Sequence, residues 1–218
     1  DPRTDSSFEL GSPESLERLH LVVVEAEKLL ATKTTAEWIR VFRAGGVPVP
    51  RGSTRADLDR LSALVAAHGA ARLVVLGDFI HAAAGRVPAL DIAFRAWRGT
   101  QPTLDLLVVR GNHDEHAGDP PPAWGIEVVA APHLAAPFLL CHEPHEPPTG
   151  YALCGHVHPG VRIAGAGDSA RLPCFVFGRR RALLPAFGRM TGLALVRPGR
   201  GEQVVAIAGP KLFALPAA

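Results

Sequence analysis

Val108-Val109-Arg110-Gly111-Asn112-His113-Asp114 is the stretch on which the fold turns. The run Leu104 to Val109 is leucine-rich and β-branched and reads as a buried strand. Directly after it the chain presents an amide oxygen, an imidazole and a carboxylate within three residues. These are the donor types of a mixed oxygen and nitrogen metal site.

Reading outward, the same order recurs. Upstream, Val74-Val75-Leu76-Gly77-Asp78 ends an apolar run at a glycine and then offers a carboxylate able to bridge two divalent ions. Downstream, Leu139-Leu140-Cys141-His142 ends in an imidazole, and Leu153-Cys154-Gly155-His156-Val157-His158 offers two more, expected on the same side of an extended segment. Taken singly, His142 is an ordinary hydrogen-bonded histidine and Asp78 a helix cap. As a set, Asp, Asn and three His after successive strands suit Mn, Fe or Zn better than Ca or Mg. His20, His68, His81, His116, His133 and His145 are not separated from background by spacing.

Further apolar runs at Leu21 to Val24, Leu73 to Leu76, Phe138 to Leu140, Cys174 to Phe177, Leu193 to Val196 and Val204 to Ile207 predict more strands. Helices are predicted over Thr54 to His68, with Leu58, Leu61, Leu64 and Val65 at helical spacing, and over Pro88 to Trp97. Gly46 to Gly52, Asp119 to Pro122 and Glu143 to Gly150 read as loops. The pattern is an α/β sandwich with polar chemistry at the strand ends. Residues 1–17 read as a flexible N-terminal segment and 18–218 as one domain, since 218 residues close a single core.

No run approaches a membrane span, and Asp1 to Glu14 lacks the basic-then-apolar order of a signal peptide, so the expectation is a soluble, cytoplasmic protein. Cys141, Cys154 and Cys174 have no CxxC spacing and are expected as reduced core residues. The net charge of +2 argues for no polyanion by itself; only clustering could, and Arg179, Arg180 and Arg181 are consecutive. That cluster is either a solvated face or a phosphate contact.

Gly77-Asp78, Gly111-Asn112-His113-Asp114, His142 and Gly155-His156-Val157-His158 resemble, in order, the motifs of calcineurin-like metallophosphoesterases. Gly46-Val47-Pro48-Val49-Pro50-Arg51-Gly52, His113 to Pro120 and Cys141-His142-Glu143-Pro144-His145 resemble more narrowly the bacterial ligase-associated DNA damage response endonucleases of the PdeM type. The resemblance runs from about Phe42 to Gly192. It implies a four-layer αββα sandwich with a two-metal, commonly manganese, centre. It also implies phosphodiester hydrolysis of DNA in repair, alongside an ATP-dependent ligase, a helicase and an exonuclease. It makes Asp78 the bridging ligand, Asn112, His142 and His156 ligands of the second metal, and His158 a ligand of the first. His113 becomes the proton donor, and Asp114 is read either as holding its imidazole or as capping the loop.

One motif departs from this pattern. The family's Asp-x-His at the end of its first strand has no counterpart before Phe42. Thr32-Lys33-Thr34 stands at the expected distance and replaces it poorly; Glu25 and Glu27 after Leu21 to Val24 are the alternative pair. The first metal then keeps only Asp78 and His158, and the site holds one ion or two. Three functions stay open on the sequence: a DNA endonuclease, a small-molecule phosphodiesterase, and a catalytically impaired metal-binding module of a repair complex.

Overall fold

The computed structural model describes residues 53–165, 168–188, 191–209 and 211–215. The strand expected at Leu21 to Val24, Glu25 and Glu27, Thr32 to Thr34, the loop Gly46 to Gly52 and the flexible segment 1–17 lie outside these residues.

Three strands form one parallel sheet in the order β1 (Arg72–Val75), β2 (Asp105–Val109) and β3 (Glu127–Val129). Helix α1 (Ser53–His68) precedes β1, and α2 (Pro88–Gly99), opened by its proline, carries the chain from β1 to β2. Strand β2 alternates between two cores. Leu104 and Leu106 pack with Leu58, Phe94, Trp97 and Trp124 on the helical side. Leu107 and Val109 face the second sheet, where they meet Leu140, Phe138 and Leu153.

That second sheet runs β4 (His133–Ala135), β5 (Phe138–Cys141), β6 (Tyr151–Cys154), β9 (Arg181–Leu183), β8 (Asp168–Phe177), β7 (Pro159–Gly165) and β10 (Ala194–Leu195), while β11 (Gln203–Ala208) pairs with β8 and β12 (Lys211–Ala214). Its far face buries Cys141, Ala152, Cys154, Cys174, Val176 and Ala206. The described residues therefore stack helix on sheet on sheet. All three cysteines are buried and free, as expected.

The parallel register places the chemistry. β1 and β2 are parallel in the first sheet, β5 and β6 in the second. Each pair's carboxyl ends lie together, the usual ligand position in open α/β sheets. The loops after these four strands carry Gly77-Asp78, Gly111-Asn112, His142 and Gly155-His156.

Candidate metal centre

Three glycines let these loops close on one another. Gly77 has φ +87, a region that L side chains avoid, and a Cβ there would run into His142 Nδ1 and approach the Gly111 Cα to 2.9 Å. A Cβ on Gly111 would lie 2.6 Å from the Asp78 backbone nitrogen and 3.0 Å from His142 Cε1. A Cβ on Gly155 would lie 2.8 Å from the Leu76 carbonyl oxygen.

Within this cradle His142, buried to 3% exposure, donates Nδ1–H to the Leu76 carbonyl at 2.7 Å. The bond fixes the tautomer and turns the Nε2 lone pair inward. Nε2 then faces Asn112 Oδ1 at 2.9 Å, His156 Nδ1 at 3.0 Å and Asp78 Oδ1 at 3.4 Å. One shared proton satisfies at most one of these contacts. A divalent cation serves all four. Ligand atoms at about 2.1 Å from one ion and at right angles stand roughly 3.0 Å apart, so the spacing fits a first-row divalent metal. Asp78, His142 and His156 are the group of charged or imidazole donors gathered closely enough to hold an ion.

Asp78 itself has φ +54, held by a bond from the His113 backbone N–H to Oδ1 at 3.1 Å. His156 and His158 have φ +64 and +50. The extended segment expected there is thus a tight left-handed turn, and alternation does not set their directions. His158 stands outside the group gathered around His142. Burial holds its pKa below the usual imidazole value; positive charge on His156, His142 and His81 acts the same way, and Asp78 opposes.

His113 is the second residue of a short helix, α3 (Asn112–Ala117), where the sequence suggested only a turn. Its Nδ1 lies 3.1 Å from the His81 carbonyl oxygen, and the two rings stack with centroids 4.0 Å apart. Sequence reasoning passed over His81, because neither spacing nor neighbours single it out. Its only local signal is its position three residues after Asp78.

The expectation that Asp114 holds the His113 ring is corrected. Asp114, 2% exposed, accepts from the Ile80 N–H at 2.8 Å and the Gly111 N–H at 3.0 Å. It ties the β1 loop to the β2 loop. Asp114→Ala leaves two interior amides without acceptors and is expected to lose about 3 kcal/mol of folding stability, with Asp114→Asn losing less. Urea unfolding of the two variants checks this.

The arginine cluster is likewise redirected. Arg181 sits opposite Ala152 at the start of β6, about 13 Å along the strand from His156 at ~3.3 Å per residue. It pairs with Glu146 and Glu202 at 3.4 Å. Arg180 bonds the Pro147 and Pro148 carbonyls, and Arg179 is exposed. Arg180 and Arg181 thereby fasten the 143–150 loop and the start of β11 to β9. Trp97 and Trp124 are buried in the helical core and unavailable for stacking on bases.

These features define an α/β protein with a candidate metal centre at the carboxyl ends of parallel strands from two sheets. No family model and no curated protein matches the chain. Among solved structures, the crystal structure of Pseudomonas putida nuclease MPE is similar with a TM-score of 0.71 and 39% identity, covering 78% of this chain and 82% of that one. The chain belongs to the same family as that nuclease.

Proposed function

We propose that this chain is a metal-dependent phosphodiesterase that acts as a DNA endonuclease, of the calcineurin-like metallophosphoesterase class and with its four-layer sandwich. The observation that carries the reading is the convergence of Asp78 Oδ1, Asn112 Oδ1, His142 Nε2 and His156 Nδ1 on one point. Kinship with a nuclease supports the substrate class. Manganese is the proposed ion, with Fe or Zn as the other candidates the donor set suits. A bound ion there would lower the pKa of a water and neutralise phosphate charge.

The chain's own residues do the rest. The Leu76 carbonyl and the His113 amide hold His142 and Asp78 in their binding orientations. The His81 carbonyl takes Nδ1–H of His113, leaving Nε2 as the position from which a protonated ring donates to a leaving oxygen. His113→Ala is expected to slow turnover of an aryl phosphodiester by about 10²–10³-fold while bound manganese stays at the parent's level. Kinetics with metal analysis on the same preparation checks both halves.

The setting we propose is bacterial DNA repair in the cytoplasm, in functional association with an ATP-dependent ligase, a helicase and an exonuclease. A second reading is favoured by one feature: no Asp-x-His precedes Phe42 to complete the first metal site. On that reading Asp78, Asn112, His142 and His156 hold a single ion in a non-catalytic module. Manganese-dependent cleavage of plasmid DNA and of an aryl phosphodiester decides. Turnover of both supports the endonuclease, turnover of the small ester alone a small-molecule phosphodiesterase, and binding without turnover the module.

A further inference from the structure

Six of the fourteen arginines in the described residues are neutralised. Arg55, Arg60, Arg72, Arg95, Arg110 and Arg181 pair with carboxylates. The exceptions include a set that the linear sequence scatters and the sheet brings together. Arg162 on β7 is the direct cross-strand partner of Arg171 on β8, and both are exposed. Their neighbours Val161, Ile163 and Leu172 pack into the core on the other face, so the two guanidinium groups share the opposite face, which is exposed at these positions. On the other side of β7, Leu195 of β10 is level with Gly160, and the Val196 amide still bonds the Gly160 carbonyl. Continuing that register brings exposed Arg197 level with Arg162. Arg171 donates to the Leu193 carbonyl at 3.0 Å, and no carboxylate pairs with Arg162, Arg171 or Arg197 among the described residues.

Like charges directly opposite in a sheet repel, so such a row is unfavourable unless an anion lies across it. Its position says which anion. Strand β7 begins at Pro159, the residue after His158, and Arg162 lies four residues after His158, about 13 Å at ~3.3 Å per residue. A polynucleotide seated at the metal centre carries further phosphates along its length, roughly one per 3.4 Å of duplex axis in each strand. We propose that the arginine-bearing face of β7, β8 and the segment after β10 docks the phosphate backbone of a polynucleotide, with Arg162, Arg171 and Arg197 as its contacts. This deepens the nuclease reading and rests on it. Contacts of this kind position a strand without reading its bases.

The test is the affinity of the whole chain for a fluorescent oligonucleotide across a salt series, with calcium in place of manganese so that the strand stays intact. The parent, Arg162→Glu and Arg162→Lys are compared, and thermal melts establish that each is folded. Arg162→Glu is expected to weaken binding about tenfold at low salt and to reduce the salt slope by about 1, while Arg162→Lys retains most of the affinity. Equal affinity of Arg162→Glu and the parent overturns the surface, as does a parent that does not bind the oligonucleotide. Cleavage is scored separately. A parent that binds through Arg162 but cuts no DNA keeps the surface and loses the nuclease reading. A parent that cuts DNA with Arg162→Glu binding as well as it does loses the surface and keeps the nuclease.

Discussion

Gly111→Ala is expected to abolish metal binding at this site and lower phosphodiester turnover by at least about a hundredfold, because ångström-scale misplacement of reacting groups suffices for losses of that size. The reason is steric. Gly111 has an ordinary φ of −99, so alanine meets no backbone strain there. Its Cβ would instead stand 2.5 Å from Asp78 Oδ1 and 2.6 Å from the Asp78 backbone nitrogen. Backbone cannot swing aside as a long side chain can. The loop after β1 must retreat from the loop after β2, taking the Asp78 carboxylate away from His142. The hydrogen bonds from Ile80 and Gly111 to Asp114, which span the same two loops, would be strained by that movement. Gly99→Ala is the matched control: a Cβ at that position meets nothing within 4 Å. Calorimetric titration with manganese should give binding for the parent and Gly99→Ala and none for Gly111→Ala. Full-strength binding by Gly111→Ala would remove the close approach of the two loops as a requirement of the site.

The same glycines mark how far the sequence could be read. Apolar runs ending in Gly-Asp, Gly-Asn-His-Asp and Gly-His announce strands with polar ends, and β1, β2, β5 and β11 lie where such runs predict. Local pattern failed where a neighbour decides. β7 carries proline, glycine and arginine within its span, and β8 extends the predicted run Cys174 to Phe177 back to Asp168; both form through their pairing with each other. β3, β4 and β9 are three residues each, too short for alternation to register. The donors gathered around His142 were legible because each follows an apolar run, whereas what each side chain leans on was not. Asp114 follows His113 in the chain, yet its carboxylate reaches Ile80, thirty-four positions away. His81 meets His113 across thirty-two. Consecutive Arg179, Arg180 and Arg181 looked like a charged patch, yet Arg180 and Arg181 are spent on loop carbonyls and glutamates, while Arg162 and Arg171 became neighbours only through antiparallel register.

Asp78→Asn is expected to weaken manganese binding by more than about a hundredfold, beyond the roughly 10–100-fold typical of groups that merely orient a ligand. The carboxylate supplies the only full negative charge in the gathered group, since Asn112, His142 and His156 are neutral donors when they bind. Asparagine keeps the size and can keep the bond from the His113 amide, so the fold of the loop is preserved and the charge alone is removed. The readout is thermal. An ion present at about 100 times its Kd stabilises the folded state by about 2.7 kcal/mol, which for a chain of this size raises Tm by roughly 5–10 °C. The parent should show that rise on adding manganese, and Asp78→Asn should show almost none at the same concentration. Lowering the pH should diminish the parent's rise, because metal binding to neutral imidazole competes with protons. His158 resists protonation longer than an ordinary histidine, because burial lowers its pKa, so loss of its neutral form comes later in the descent. An equal rise in parent and variant would place the ion elsewhere and remove Asp78 from the site.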